Sequence, residues 1–358
     1  MQILKLDKNN QPQIIDQACQ VLANGGIVIY PTETVYGVGV DATNFQAVEK
    51  LLAYKSRREG KPLSVAVTSQ EMAEQYVILT EQAKKFYQRF LPGPYTIVSQ
   101  GKNQVAPAVE SEFGTLGIRI PDYPLITNLV KEFGKPITST SANGSDKKRP
   151  YQIQDIFDNL SKKQKNLIDL VIDAGVLPPN EPSIVIDTTL STPLEVRGQL
   201  STQPADKKFL TKSEQETKNL AGKLLLKYWN QLKNQGLIIG LNGKLGTGKT
   251  IFTQGMAQFL QIDQPLSSPT YNYLNQYDFT RHNTKGILYH LDVWKIDSEP
   301  SFKLLNIPSL VAPNTVTVIE WWQQIEPYWP TNLPLTFQAS ISEVAGDIEA
   351  REIRIFES

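Results

Sequence analysis

The sequence predicts two α/β domains in tandem, and three observations carry that reading. The chain has 358 residues, a length that suits two domains at roughly 100–200 residues each. From about residue 10 to residue 200, short apolar strand-like runs alternate with segments of helical apolar spacing, the pattern of an α/β domain. Gly243–Thr250 then fits G-x-x-x-x-G-K-[ST] between an apolar run and a helical pattern, which opens a P-loop α/β sheet.

The elements follow in order. QIIDQACQVLANGG has helical spacing and ends on a glycine pair suited to a C-cap. GIVIYP is a short strand stopped by Pro31, and AVEKLLAYK is a second helix. PLSVAVTS is a strand, and EQAKKFYQRFLPG is a helix closed by Pro-Gly. TIVSQG, LGIRIP, PITSTSA, LVIDAG and SIVIDTT read as further strands. STQPADKKFLTKS, Ser201 to Ser213, is polar, contains proline and lacks apolar periodicity, so it reads as the connection between domains. The expected division is 1–203, a linker over 204–215, and 216–358. A long helix through ETKNLAGKLLLKYWNQLKN opens the second domain. The strand GLIIGLNG and the helix KTIFTQGMAQFLQ flank the glycine-rich turn. ILYHLDVW and NTVTVIEWW are later strands, and LTFQASI and REIRIFE read as closing antiparallel strands.

Composition narrows the class. Lys+Arg and Asp+Glu both number 36, and each part stays neutral when the chain is split after Gln203. A protein that grips a nucleic-acid backbone as its main task carries a basic excess, so neutrality argues against that role while leaving room for a local patch. The single cysteine, Cys19, excludes an internal disulfide. With two histidines in addition, His282 and His290, a zinc site would be short of its usual ligands. MQILKLDKNNQ has no basic-then-apolar leader, and no apolar run approaches the ~18 residues of a membrane span. The expectation is a cytoplasmic protein that does not engage a membrane.

The P-loop dictates chemistry. Gly243, Gly246 and Gly248 let backbone N–H groups close around phosphate oxygens. Lys249 reaches the β/γ-phosphates, and the Thr250 hydroxyl is a ligand for Mg²⁺. Hydrolysis needs more than a cradle. Asp292 ends one strand and Glu320 another, and in a parallel sheet both strand ends lie on the edge that carries the P-loop. One carboxylate is suited to the metal and the other to orienting water. Thr270, in Ser268-Pro269-Thr270, is placed to sense the γ-phosphate, although the same residues also suit a plain proline turn. Trp321 and Trp322, beside Glu320, suit core or lid positions better than a chemical role.

GKLGTGKTIFTQG, SPTYNYLNQY, YHLDVWKI and IEWW, in that order, resemble TsaE, the bacterial ATPase family of the tRNA threonylcarbamoyladenosine pathway. The resemblance spans about residues 216 to 358. It implies that Lys249 and Thr250 bind Mg-ATP, that Asp292, Glu320 and Trp321 serve hydrolysis, and that Thr250, Asp292 and Glu320 form the metal site.

The first half carries no P-loop. It offers the hydroxyl-rich turn Pro31-Thr-Glu-Thr-Val-Tyr-Gly37, the cations Lys55, Arg57, Arg58 and Lys61, the rigid turn Pro92-Gly-Pro-Tyr-Thr96, Arg119, Ser139-Thr-Ser141-Ala-Asn143, Ser183 and Arg197. Four cations within seven positions of a neutral domain suit a polyanion such as a triphosphate. The same four also suit a solvated helix end, where cations complement the dipole. Hydroxyls and amides suit a small polar substrate.

PTETVYGVG, Lys55-x-Arg57 followed by KPLSV, PGPYT, GIRIP, Ser141-x-Asn143 and PSIVID with a final Arg-Gly resemble the YrdC/Sua5 family of L-threonylcarbamoyladenylate synthases, over about residues 10 to 200. The resemblance implies a twisted α/β sheet around a concave basic cavity. It also implies a reaction joining L-threonine, bicarbonate and ATP into threonylcarbamoyl-AMP and pyrophosphate. By the same resemblance, Lys55 and Arg57 act at the reacting phosphates, and Ser141, Asn143, Ser183 and Arg197 hold ATP with them. Thr32, Tyr36 and Arg119 position threonine. Arg58, Ala66 and Ile184 stand where relatives carry Pro, His and Thr. The combined expectation is a fusion of two steps of tRNA modification, with Mg²⁺ and ATP used in the second domain. Its partner would be a threonylcarbamoyl-transferase complex of the TsaD/TsaB type, which would handle tRNA so that this chain touches it mostly indirectly. Two other readings stand beside it: a P-loop small-molecule kinase with a substrate domain, and an RNA-binding or assembly protein.

Overall fold

The computed structural model describes residues 1–55, 63–143, 148–198, 206–269 and 272–357. They divide into two compact units. One runs to Thr189 and includes the strand Leu194–Arg197, and the other holds Leu190–Thr192 and the residues from Asp206 onward. No helix among the described residues is long and apolar enough to cross a membrane.

The first unit is α/β, built on two sheets rather than one. In the first, the strands run in the order Gln2–Lys5, Ile168–Asp173, Ile27–Tyr30, Gly37–Gly39, Thr140–Ser141. In the second they run Leu194–Arg197, Ile184–Asp187, Tyr95–Gly101, Thr115–Arg119, Ser64–Ala66, Ile137–Thr138. The PITSTSA run, expected as one strand, is therefore two. Ile137–Thr138 pairs with Val65 and Ala66, and Thr140–Ser141 pairs with Gly37 and Val38. Between them the Ser139 N–H donates to the Ser64 carbonyl. This crossing ties the sheets together, and the turn after Ile27–Tyr30 meets the end of Thr115–Arg119.

The helix Gln11–Ala23 turns Ile14, Ala18 and Leu22 inward, at the i, i+4, i+8 spacing of one face, and packs on Pro124–Phe133, a helix that the sequence reading did not single out. Ile27–Tyr30 is buried at every position, as a strand covered on both faces should be.

The second unit is one seven-stranded sheet, ordered Asp206–Thr211, Asp347–Glu357, Phe337–Val344, Leu237–Asn242, Thr315–Glu320, Thr284–Asp292, Leu274–Arg281. Its four central strands are parallel and its edges antiparallel. LTFQASI thus lies parallel to the P-loop strand and antiparallel only to REIRIFE.

The second unit departs from the sequence expectation at three further points. Asp206–Thr211, inside the expected linker 204–215, is an edge strand whose alternate residues Lys207, Phe209 and Thr211 are buried. The lysine at an inward position hides the period of two. The linker's C-terminal part is helical as well: Ser213 caps the helix Glu214–Lys227 by accepting from the Glu216 N–H. The long helix breaks at Tyr228 into Glu214–Lys227 and Trp229–Gln235.

The helix Lys249–Leu260, which starts on the P-loop, is pressed against Glu214–Lys227. A Cβ at Gly255 would lie 2.4 Å from the Lys218 Cα and 2.5 Å from its carbonyl oxygen. Both neighbours are backbone, so neither gives way, and only the absence of a side chain permits the approach. Gly255→Ala is expected to destabilise the second unit by about 1–3 kcal/mol, the usual cost of overpacking. Denaturant unfolding followed by tryptophan fluorescence reads this directly, and an unchanged midpoint refutes the close packing.

Candidate functional site

In the first unit the turn after Ile27–Tyr30 is locked by its own hydroxyl. Thr32 Oγ1 donates to the Val35 carbonyl at 2.6 Å and accepts from the N–H groups of Thr34 and Val35 at 3.2 Å. Tyr36, fully buried, donates its hydroxyl to the Gly175 carbonyl at 2.9 Å and accepts from the Ala174 N–H at 2.8 Å. Burial pushes this phenol far above its ordinary range. Both side chains expected to meet threonine thus also fasten the turn.

Arg119 ends the strand Thr115–Arg119. Its Nη2 donates to Glu33 Oε1 at 2.6 Å and to Thr34 Oγ1 at 2.8 Å. Both members of this ion pair are largely buried, and Glu33 Oε2 and Arg119 Nε are buried without a hydrogen-bond partner. In register, Ala66 lies opposite Arg119.

Lys55 ends the helix Phe45–Lys55, and its Nζ donates to the carbonyls of Ser141 and Asn143, both at 2.7 Å. Burial holds this ammonium down to about 8. The Ser141 and Asn143 elements are therefore gripped through their backbone, while the Asn143 amide donates to the Lys148 carbonyl. Arg197 donates through Nε to the Ser183 carbonyl at 3.0 Å and through Nη2 to Ser183 Oγ at 2.7 Å. Burial lowers its affinity for a proton, and the positive charge of Arg119 adds to that. The two guanidiniums thus act in one electrostatic field. Arg57, Arg58 and Lys61 lie outside the described residues, as does Thr270 in the second unit.

In the second unit, the P-loop leaves the C-terminal end of Leu237–Asn242. Gly243 has φ +150, and a Cβ there would meet the Ile341 carbonyl oxygen at 2.4 Å; Gly248 sits at φ +101. Both positions demand glycine. Lys249 Nζ donates to the carbonyls of Gly243 and Lys244 at 2.9 Å and lies 4.1 Å from the Trp321 ring centroid, a cation–π contact. Desolvation lowers its proton affinity, opposed by Glu320 and Asp292. Asp292 and Glu320 are direct neighbours in the parallel register of their strands.

The Thr250 hydroxyl donates to Glu320 Oε1 at 3.0 Å, and Ser268 Oγ donates to Asp292 Oδ2 at 3.1 Å. Trp321 takes a left-handed conformation, φ 64, uncommon for a bulky residue. These groups, with Gly246, line one cleft of about 640 Å³. Gly246, Gly248, Lys249 and Thr250 of the P-loop therefore meet Asp292, Glu320 and Trp321.

Three residues in or directly behind the sites escaped the sequence reading. Glu33 lies inside a motif valued for its hydroxyls. Arg351 donates from Nε to the Thr247 carbonyl at 2.8 Å and so braces the P-loop from the far strand; no short-range signal points to it. His290 touches Glu320 at 2.8 Å, and its spacing of two from Asp292, which puts both on one strand face, was a usable signal.

Comparison with known proteins accords with both halves. The Sua5/YciO/YrdC family model, described as telomere recombination, matches residues 20–198. The model for threonylcarbamoyl adenosine biosynthesis protein TsaE matches residues 211–352. A putative threonylcarbamoyl-AMP synthase of Methanocaldococcus jannaschii is 36% identical over 186 residues, covering 52% of this chain and 86% of that protein. A threonylcarbamoyl-AMP synthase of Photobacterium profundum is 39% identical over 133 residues, 36% of this chain and 71% of the relative. The crystal structure of P. abyssi Sua5 complexed with L-threonine aligns over 89% of this chain and 92% of that one, with a TM-score of 0.51 at 19% identity, a likeness of fold. The chain belongs to the Sua5/YciO/YrdC family and joins to that domain, from about residue 211, a TsaE domain.

Proposed function

We propose that the chain is a bifunctional protein of tRNA threonylcarbamoyladenosine synthesis. Its first unit makes threonylcarbamoyl-AMP, and its second binds and hydrolyses ATP to support turnover of a separate threonylcarbamoyl-transferase complex of the TsaD/TsaB type. The carrying observation is the pairing within one chain of a domain whose relatives are named threonylcarbamoyl-AMP synthase with a TsaE domain whose P-loop, Asp292 and Glu320 share one cleft.

In the first unit, the threonine amine adds to bicarbonate-derived carbon to give a carbamate and water. A carbamate oxygen then attacks the α-phosphorus of ATP, and pyrophosphate leaves. No protein nucleophile is required. The work is positioning and charge stabilisation. Lys55, Arg57 and Arg197 supply positive charge to the phosphates, with Ser141, Asn143 and Ser183 as neutral partners. Arg119 receives the threonine carboxylate beside a turn that Thr32 and Tyr36 hold rigid. Incubation with ATP, L-threonine and bicarbonate is expected to release pyrophosphate only when all three are present. Arg119→Ala and Arg57→Ala should each slow it roughly 10²–10³-fold. Pyrophosphate release that ignores threonine, or that survives both substitutions, defeats the synthase assignment. ADP with a phosphorylated product would instead indicate a kinase, and salt-sensitive RNA binding without pyrophosphate an RNA-binding or assembly protein.

The buried Lys55 ammonium adds a pH signature. It is charged below about 8 and neutral above, so its attraction for a triphosphate is present at neutral pH and fades as pH climbs through that value. In the Lys249→Ala background, which silences the P-loop, ATP affinity measured by calorimetry should weaken several-fold between about pH 7 and pH 9. Lys55→Arg, charged throughout, should flatten the profile. An equal slope in both proteins rules Lys55 out as its source.

In the second unit, the oxygen donors Thr250 Oγ1, Asp292 and Glu320 suit Mg²⁺, a hard cation that prefers carboxylate and hydroxyl ligands. Bound there, the ion would neutralise charge on the β- and γ-phosphates. The P-loop amides and Lys249 hold the phosphates, and Glu320 orients water toward the γ-phosphorus. Lys249→Ala is expected to abolish ADP formation by this unit while leaving threonine-dependent pyrophosphate release by the first intact. ADP formation that persists in the variant removes the P-loop from the mechanism.

A further inference from the structure

His290 is completely buried on the strand Thr284–Asp292. Its Nε2 lies 2.8 Å from Glu320 Oε1, the same oxygen that accepts the Thr250 hydroxyl at 3.0 Å. Its other nitrogen, Nδ1, is buried with no hydrogen-bond partner. These facts fix the tautomer. A proton on Nδ1 would be a buried, unsatisfied donor, which costs about 1–3 kcal/mol, whereas a proton on Nε2 meets a carboxylate, an obligate acceptor when ionised. The imidazole therefore carries its hydrogen on Nε2 and donates it to Glu320. A glutamate side chain has three rotatable bonds, and one contact at Thr250 leaves it free to pivot. Two donors converging on one oxygen, from different elements, do not. The imidazole itself is clamped in a strand interior and is not among the residues lining the cleft.

We infer that His290 is the positioning residue for Glu320. It holds the carboxylate so that its second oxygen, Oε2, which makes no hydrogen bond among the described residues, is presented to the reacting phosphate and its water. The role rests on the ATPase reading of this unit. His290 contacts no substrate; it acts through Glu320, as partners beyond the reacting groups commonly do, with losses of roughly 10–100-fold when they are removed.

Two measurements on the full chain test it. The first needs no turnover. With only two histidines in the chain, long-range ¹H–¹⁵N correlation spectra assign both once His282→Asn is recorded. The expected result is a His290 protonated at Nε2 and bare at Nδ1, with the Nε2 resonance shifting in Glu320→Gln. A proton on Nδ1, or no response to Glu320→Gln, overturns the inference. The second is single-turnover ATP cleavage with protein in excess, beside the affinity for a fluorescent ADP analogue. His290→Phe should slow cleavage roughly 10–100-fold with analogue affinity within about twofold, and His290→Gln, which keeps a donor at the same reach, should recover most of the rate. Equal loss in both variants, or parallel loss of rate and affinity, marks a merely structural histidine and overturns the inference. Wild-type cleavage no faster than that of Lys249→Ala overturns the ATPase reading instead, while the spectra still report on the contact with Glu320.

Discussion

A charge removed from water must be compensated, and the kind of partner that compensates it decides what it can still attract. Desolvation costs several kcal/mol per ion even after relaxation. Lys55 and Lys249 meet that cost with carbonyl oxygens: Ser141 and Asn143 for the first, Gly243 and Lys244 for the second. Carbonyls satisfy the donors without cancelling the charge. Burial lowers the proton affinity of both lysines, and while charged each projects its field in a low-dielectric setting, where it counts for more than in water. Arg197 follows the same pattern on Ser183. Arg119 differs because Glu33 neutralises it. In the proposed function the first three serve polyanionic phosphate. The fourth is a guanidinium–carboxylate pair suited to exchanging one carboxylate for another, which fits an amino-acid substrate.

That pattern depends on where the backbone is made to run. In the first unit, the carbonyls that receive Lys55 belong to a segment that has just crossed from one sheet to the other at Ser139. The same crossing brings the turn bearing Glu33 and Thr34 to the strand end bearing Arg119. In the second unit the parallel register of Leu237–Asn242, Thr315–Glu320 and Thr284–Asp292 delivers the P-loop, Glu320 and Asp292 to a single edge. Gly255 and Gly243 are two of the points where this placement admits no side chain, against Lys218 in one case and Ile341 in the other.

Much of this was legible in the sequence, and the parts that were not share a cause. The P-loop is local: eight consecutive residues between a strand and a helix specify its geometry, and Asp292 and Glu320 declare themselves as acids at the ends of apolar strands. The α/β class follows from periodicity alone. What escaped depends on partners distant in sequence. PITSTSA reads as one strand because nothing local marks the change of sheet at Ser139. DKKFLT reads as linker because Lys207 occupies an inward position that periodicity assigns to an apolar residue. The hairpin strand Leu274–Arg281 carries Asn, Gln and Asp and is stabilised by its antiparallel partner. Glu33 is unremarkable until Arg119, 86 residues later, closes on it.

The same distinction separates the two aromatic and imidazole groups beside Glu320. Trp321 follows it directly, so a sequence reading notices it first. Its backbone is left-handed and its ring makes a cation–π contact with Lys249 in the wall of the cleft. His290 is 30 residues away in sequence yet shares the carboxylate oxygen. Strand pairing explains why. With Asp292 opposite Glu320 and His290 opposite Val318, the side chains of His290 and Asp292 leave the same strand face two residues apart, Asp292 level with the glutamate and His290 diagonal to it. An acid at a strand end is mobile unless something behind it is rigid. In this sheet the rigid element is a neighbouring strand, and the residue it offers is one whose single available proton already has a carboxylate to meet.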